Sequence, residues 1–227
     1  MAQPASKRET AAGGSRGEDT RLRLIEAALK IFGELGFEGT STRALADAAN
    51  ANLAAIPYHF GSKEGLYRAA AEFIVERTGE EIFPTLSRVE AALAARKLAR
   101  DEAVAALHEV LERFSAIVIG SEFPDTFPAF VMREQLQPGA AFEILYQGMM
   151  RRLIEACTKL LALISDRRAD DMRTVIKAQT LLGQVLVFRT SRACVLRALG
   201  AREISKEQLR MIQSTIAENV DRILAGK

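Results

Sequence analysis

The chain has 227 residues, a length that allows one large domain or two modest ones. Its 48% hydrophobic, 26% charged and 6% aromatic residues exclude disordered, collagen-like and disulfide-scaffold proteins. Thirty-one Lys and Arg against 29 Asp and Glu give a net charge of +2, so the overall charge does not indicate a nucleic-acid or membrane partner.

Cysteine, histidine and apolar runs further limit the classes of protein. Cys157 and Cys194 are too few for a disulfide framework and indicate a reducing compartment. His59 and His108 have no partners at metal-ligand spacing, so we expect no metal site and no cofactor. No run approaches the roughly 18 apolar residues that cross a bilayer, and the N-terminus lacks the apolar core of a signal peptide. These features predict a cytoplasmic protein without a membrane partner.

The N-terminal third of the chain predicts a tail and four helices. Residues 1–18 are rich in Ala, Gly, Ser and charge without periodicity, so we expect a disordered tail. From Thr20 to Leu35 apolar residues recur every three or four positions, which predicts helix 1, ended by Gly36. Three further helices are predicted over 43–49, 53–60 and 62–74.

Beyond residue 80 every periodic segment again has helical spacing. The predicted helices cover 101–118, 125–136, 142–164, 170–199 and 205–223. Because no segment alternates with a period of two, the sequence predicts an all-α protein of about nine helices.

Residues 41–60 fit the plan of a helix-turn-helix, in which the second helix enters the major groove and the first crosses the DNA backbone. The matching strings are A-x-x-x-F-x-x-x-G-F at 28–37, G-T-S-T-R-A-L-A-D-A-A at 39–49 and Y-H-F-G-S-K-E-G-L-Y at 58–67. With these strings the first 70 residues resemble the DNA-binding domain of the TetR family of bacterial transcriptional regulators. The string N-L-A-A-I-P-Y-H-F resembles most the branch with CecR-type effector domains. The resemblance implies a three-helix DNA-binding domain over 19–66 and a helical effector-binding and dimerisation domain over 67–227.

The resemblance also implies which residues contact the DNA backbone. Ser41 and Thr42 would bind phosphate at the start of helix 2, where N–H groups point outward, and Arg43 would add positive charge. Tyr58 and His59 would meet the DNA backbone, with packing inside the domain as the alternative. Lys63 stands where the family has a lysine beside the start of helix 4.

The candidate base-reading residues are Asn52, Leu53, Ala54 and Ala55 at the start of helix 3. Of these, Asn52 alone can hydrogen-bond a base edge, and it could instead cap the helix. Pro57 departs from the commonest family pattern and leaves open a kinked or shortened helix 3.

A carboxylate in an apolar stripe marks the middle of the chain. Glu134 follows Phe127, Phe130 and Val131 at i+7, i+4 and i+3 spacing, so burial would require a partner. The candidate partners are Arg113, His108, Arg151, Arg189 or a bound ligand. By resemblance this region holds an effector pocket, for which the candidates are His108, Arg113, Phe130, Glu134, Tyr146 and Gln179. A structural ion pair remains the alternative for Glu134.

Small residues on one side of the predicted helix over 170–199 would permit close approach of a partner helix. They are Gly183, Val187, Ser191, Cys194 and Ala198. Intramolecular packing is the alternative, but the resemblance implies a homodimer formed through the last two long helices.

The function implied by the resemblance is a ligand-responsive repressor. It would bind a palindromic operator as a dimer and be released by a small-molecule effector. The sequence contains no P-loop and no G-x-S-x-G motif, so we expect no enzyme. The alternative is an all-helical ligand carrier or interaction protein with a decayed DNA-binding head.

Overall fold

The computed structural model describes residues 9–120 and 123–225, and every regular element within these ranges is helical. The all-α prediction is therefore confirmed. The helices are α1 (Glu9–Leu35), α2 (Thr42–Ala48), α3 (Ala55–Phe60), α4 (Lys63–Ala94), α5 (Arg100–Ile119), α6 (Thr126–Leu136), α7 (Phe142–Leu145), α8 (Arg151–Ser165), α9 (Met172–Thr190), α10 (Arg192–Ala198) and α11 (Lys206–Ala225), with a π-helical turn at Tyr146–Met150 between α7 and α8.

Helix α1 begins at Glu9, well before the start expected at Thr20. Residues 1–8 of the predicted tail lie outside the described residues. The disordered assignment is wrong for the rest of the tail, because a helix whose later turns are packed gains one hydrogen bond for each residue it adds. The extended part of α1 also lies next to α3, since a Cβ built at Gly17 would be 4.0 Å from the His59 ring.

Helix α4 continues for twenty residues past Ile74, where the predicted helix ended. It passes through Pro84, which is exposed, and its later turns bury Ile82, Leu86 and Val89. Burial of this apolar face stabilises the helix beyond the point where local pattern alone indicated it.

The helix predicted over 170–199 is interrupted, which is a correction. Ser191 adopts φ −107° and ψ 27° and separates α9 from α10. Thr190 and Ser191 favour such an end because their hydroxyls compete for backbone hydrogen bonds. The segment predicted over 142–164 contains the π-helical turn, where Gly148 lies so close to Val75 that a Cβ would come within 2.8 Å of its Cγ1.

The contacts divide the chain into two compact units. Unit 1 comprises Met1–Ile74 with Asp125–Leu145, and unit 2 comprises Val75–Pro124 with Tyr146–Lys227. Helix α6 packs on α1 and so belongs to unit 1, although the sequence placed it in the effector-binding region. The chain therefore passes from one unit to the other three times.

The core of unit 2 is built from α5, α8, α9 and α11 with the second half of α4. The Cys157 thiol is fully buried there, and burial raises the pKa of Cys157 to about 12, so the thiol stays protonated. Cys194, in contrast, is exposed on α10. Across residues 9–120 and 123–225, none of the helices has the length and apolar character needed to span a bilayer.

Candidate nucleic-acid interface and effector site

The start of α2 is held by Ser41. Its Oγ accepts a hydrogen bond from the Ala44 N–H at 3.1 Å, which makes it the N-cap. The N–H groups of Thr42 and Arg43 lie in the first helical turn, which lacks internal acceptors. Arg43 is exposed. This end of α2 can therefore offer N–H groups and a guanidinium to a phosphate.

Asn52 acts as a local cap in the turn before α3. Its Oδ1 accepts from the Ala54 N–H at 2.9 Å, which favours capping over base reading among the two alternatives. Leu53 is 46% exposed and Ala54 is also exposed, whereas Ala55 is half-buried. The leading edge of α3, residues 53 and 54, thus presents small and apolar groups to solvent, which can contact thymine methyls but offer no side-chain hydrogen bond to a base.

Helix α3 begins at Ala55, two residues after its predicted start, and it contains Pro57. The proline occupies the third position of α3, where an N–H would have no acceptor within the helix. The first helical bond, from the Tyr58 N–H to the Ala54 oxygen, forms at 3.2 Å. Helix α3 is six residues long and ends at Gly61, whose φ of +75° favours glycine.

Tyr58 and His59 have different surroundings. Tyr58 is 83% exposed and so can reach a DNA backbone. His59 is half-buried and packs edge-on against the Tyr58 ring, with ring centroids 4.8 Å apart. Of the two, Tyr58 is therefore the more accessible for the predicted contact with the DNA backbone, and the His59 ring packs against it.

Lys63 forms hydrogen bonds with the segment that connects α1 and α2. Its Nζ donates to the carbonyl oxygens of Phe37 at 2.9 Å and Thr40 at 3.0 Å, and lies 4.1 Å from the centre of the Phe37 ring. The predicted phosphate contact is thus accompanied by a structural role, since two of the three ammonium protons are already used.

Replacing Lys63 with methionine tests this role. We expect the free energy of unfolding to fall by about 1–3 kcal/mol, because two carbonyl groups lose a charged donor. Urea unfolding followed by circular dichroism measures the change. Lys30→Met, at an exposed position of α1, is the matched control and should change stability by less than about 0.5 kcal/mol. Equal stability of the two variants would contradict the structural role.

Arg23 on α1 is an additional candidate that is absent from the predicted site residues. Its guanidinium donates to the Asn50 carbonyl at 3.4 Å and to Thr20 Oγ1 at 3.2 Å, so it lies at the turn between α2 and α3. Arg23 is exposed and adds positive charge beside the candidate DNA-contacting residues. Its position on the polar face of α1 gave only a weak signal.

Glu134 is buried, at 1% exposure, but its partners are not those predicted. Its carboxylate accepts from the Tyr67 hydroxyl and from the Gly139 N–H, the latter at 3.1 Å. Burial, reinforced by the hydrogen bond to Glu134, raises the pKa of Tyr67 well above its usual range, so the hydroxyl remains a donor.

Three of the cations predicted as partners for Glu134 pair elsewhere within unit 2. The pairs are Arg113 with Glu81 at 3.6 Å, His108 with Asp221 at 2.8 Å, and Arg151 with Glu155 at 3.6 Å. The prediction that one of these three cations pairs with Glu134 is wrong, because α6 packs on α1 and Tyr67, near the start of α4, supplies the donor. The sequence did contain one signal of this packing, a glycine at position 33 within the apolar stripe of α1. A Cβ at Gly33 would lie only 3.2 Å from the Phe130 nitrogen of α6.

A recess of about 470 Å³ lies beside Glu134 within unit 1. Arg133 covers one side of it, with its guanidinium against Gly36 and its Nη1 donating to the Glu34 carbonyl at 3.4 Å. The lining residues are Leu35, Gly36, Phe37, Glu38, Glu64, Tyr67, Arg133, Glu134, Gln137, Gly139 and Ala140.

The candidate effector residues are distributed over both units. Phe130 is buried with Glu134 in unit 1, whereas His108 lines a cavity of about 320 Å³ between α5 and α11 of unit 2. Arg113 and Gln179 are exposed, and Tyr146 is half-buried at the start of the π-helical turn. The cavity in unit 2 is lined by His108, Leu111, Glu112, Ser115, Arg210, Gln213, Ser214, Ile216 and Ala217.

The candidate dimer residues lie on two helices rather than one. Gly183 and Val187 are on α9, where Val187 is 44% exposed and nothing lies within 4 Å of a Cβ built at Gly183. Ser191 forms the break, and Cys194 and Ala198 are exposed on α10. Further exposed apolar side chains on α9 are Met172, Val175, Ile176 and Leu186.

Comparison with known proteins agrees with this architecture. Residues 24–70 match the family model for bacterial regulatory proteins of the tetR family, and residues 103–227 match the C-terminal domain of the HTH-type transcriptional dual regulator CecR. The chain is 34% identical to CecR of Shigella flexneri over 214 residues, which cover 93% of this chain and 94% of that protein.

Solved structures share the fold at low identity. A TetR-like transcriptional regulator from Rhodococcus sp. RHA1 superimposes with a TM-score of 0.57 at 21% identity, over 92% of this chain and 97% of that one. AibR, in complex with isovaleryl coenzyme A and operator DNA, gives a TM-score of 0.61 at 16% identity, over 87% and 96%. The extent of the match to CecR establishes the relationship: the chain belongs to the TetR family of bacterial transcriptional regulators.

Proposed function

We propose that the protein is a homodimeric repressor that binds a palindromic operator through α2 and α3 and is released by a small molecule. The observation that carries the DNA-binding part is the exposed leading edge of α3, at Leu53 and Ala54, with Tyr58 beyond it. Arg43 and Arg23 place positive charge beside this edge, at the start of α2 and at the turn between α2 and α3. These groups would position the protein on phosphates while α3 enters the major groove.

A dimer is the proposed binding unit. The first 70 residues carry nine Lys or Arg and eight Asp or Glu, so one copy offers little net charge to DNA. Two copies with their α3 helices about 34–36 Å apart would double the phosphate contacts and read a palindrome. The exposed face of α9 and α10 around Gly183, Val187 and Cys194 supports pairing through this region.

Effector binding is proposed for unit 2. The cavity between α5 and α11 contains His108 and polar groups such as Gln213 and Ser115, whose hydroxyl accepts from Gln213 Nε2 at 3.0 Å. A molecule that binds more tightly to a conformer in which the two α3 helices are misplaced would shift the protein toward that conformer. Operator affinity would then fall by an amount set by the difference between the molecule's affinities for the two conformers. AibR, which shares the fold, forms a complex with both isovaleryl coenzyme A and operator DNA, which supports the proposal that this chain also binds a small molecule and DNA.

The proposed place of action is the cytoplasm, where operator DNA lies, and the proposed activity is regulation rather than catalysis. The related protein from Shigella flexneri is named a dual regulator, so activation at some promoters is compatible with the same DNA-binding unit. The rival interpretation, a ligand carrier with a decayed DNA-binding domain, would be favoured by a distorted α3. Pro57 removes no helical hydrogen bond from α3, and Leu53 and Tyr58 are exposed.

Operator titration tests the proposed function. A duplex from the region upstream of the protein's own gene should bind two chains, with an affinity that falls steeply as salt rises. Arg43→Gln should weaken binding about tenfold at low salt and reduce the slope of log K against log [salt] by about 2, one phosphate contact being lost for each chain.

Lys97→Gln, at an exposed position after α4, is the control for the charge change and should leave the slope unchanged. Fluorescence anisotropy gives the affinity, and analytical ultracentrifugation gives the stoichiometry. Binding of a single chain, or binding insensitive to salt, would contradict the proposal.

A further inference from the structure

Helix α6 is built into the DNA-binding unit by several independent contacts. Its backbone at Ala129 and Phe130 approaches α1 at Gly33, where a Cβ would lie 3.3 Å from the Ala129 Cβ. Phe127 packs edge-on against Phe73 of α4, with centroids 5.9 Å apart. A larger residue at Gly33 would push α1 and α6 apart. The close contact therefore forms only when Gly33 faces the backbone of α6 at Ala129 and Phe130.

Tyr67 lies at the centre of this packing. Its ring is 4.7 Å from that of Phe32 on α1 and 5.0 Å from that of Phe130 on α6, measured between centroids. Tyr67 is 3% exposed, so its hydroxyl must find its partner inside the protein, and that partner is Glu134. The hydrogen bond joins the second turn of α4 to α6, while the Gly139 N–H holds the other carboxylate oxygen.

A purely stabilising contact at this place does not need a charged group. Apolar side chains of the same shape fill such a position at little loss of stability, whereas a buried carboxylate has a large desolvation penalty. What a hydrogen-bonded carboxylate adds is direction: its acceptor geometry is met only when α4 and α6 lie at one distance and angle.

We propose that Tyr67 and Glu134 are positioning residues for operator binding. Their buried hydrogen bond sets the start of α4 relative to α6 and α1, and so sets the frame in which α3 is presented to DNA. The inference rests on the proposed operator binding and extends it, because it assigns a DNA-binding role to residues that do not contact DNA.

The test compares operator affinity with stability in Tyr67→Phe, Glu134→Met and the double variant. Each single change leaves one partner unsatisfied and lowers the midpoint of thermal unfolding. The double change removes both polar groups, and the exposed Gly139 N–H can turn to water. We expect it to recover most of the thermal stability while its operator affinity stays about tenfold below that of the unchanged protein.

The salt slope separates positioning from direct contact. Because neither residue neutralises a phosphate, the slope of log K against log [salt] should be unchanged in all three variants. Affinity that returns together with stability in the double variant, or a changed slope, would overturn the proposal. If Glu134→Met variants do not fold, Tyr67→Phe alone decides, because it keeps the ring contacts: wild-type affinity overturns the proposal, and weaker binding with an unchanged slope supports it.

Operator binding by the unchanged protein and by the variants distinguishes loss of the DNA interface from loss of the positioning role. Salt-dependent binding of the unchanged protein to its upstream duplex, weakened by Arg43→Gln, establishes the DNA interface without reference to Tyr67. Unaltered affinity in the Tyr67 and Glu134 variants against that background would refute the positioning role alone. Absence of binding by the unchanged protein would refute the operator proposal itself.

Discussion

Replacing Ala54 with glutamate is expected to weaken operator binding by about 100-fold or more. Ala54 is exposed at the N-cap of α3, so its new carboxylate would meet the bases and phosphates of the major groove. Like charges brought together at an interface cost several kcal/mol, and about 2.7 kcal/mol already corresponds to a factor of 100. A dimer carries the substitution twice.

The fold should tolerate this change. An acidic residue at the N-terminal end of a helix interacts favourably with the helix dipole, and no packed side chain is displaced. Ala91→Glu, at an exposed position of α4 in unit 2, introduces the same charge away from the proposed interface and is the control. Ala54→Gln separates charge from size. Anisotropy titrations in which Ala54→Glu binds as tightly as Ala91→Glu would exclude α3 as the DNA-reading helix.

Replacing Phe130 with alanine should give the largest loss of stability among the substitutions described here. Phe130 is 1% exposed on α6 and packs against the Tyr67 ring. Truncation of a fully buried phenylalanine removes its transfer free energy and leaves a cavity, which together lower the free energy of unfolding by about 3–5 kcal/mol.

The control for Phe130→Ala lies on the same helix. Leu136 is 76% exposed at the end of α6, so Leu136→Ala should change stability by less than about 0.5 kcal/mol. Urea unfolding, followed by circular dichroism, compares the two. Similar curves for both variants would show that α6 is not packed on α1 as described.

Elements whose apolar residues face one packed neighbour were predictable from the sequence. Helix 1 ends at Leu35 as its pattern indicated, with Gly36 at φ +75°. The last helix opens with the predicted capping box, in which Ser205 and Gln208 exchange hydrogen bonds at 2.9 and 3.1 Å. These signals are local, so a single segment contains all the information that they need.

Contacts between segments that are far apart in the chain could not be predicted from local sequence patterns. The partner of Glu134 is Tyr67, 67 residues earlier in the chain, and nothing in the spacing around either residue identifies the other. The resemblance implies a phosphate contact for Lys63, whereas its hydrogen bonds to the Phe37 and Thr40 carbonyls depend on how α1 and α4 pack together. The interruption at Ser191 likewise left no break in the apolar pattern.

The segment Asp125–Leu145 lies far from the N-terminal helices in sequence but belongs to the same unit. The simplest hybrid regulator would join the first 70 residues of one protein to the remaining residues of another. Such a splice would pair Gly33, Phe32 and Tyr67 with a foreign counterpart of α6. A functional graft must therefore exchange two stretches of the gene together, those that encode residues 1–74 and residues 125–145.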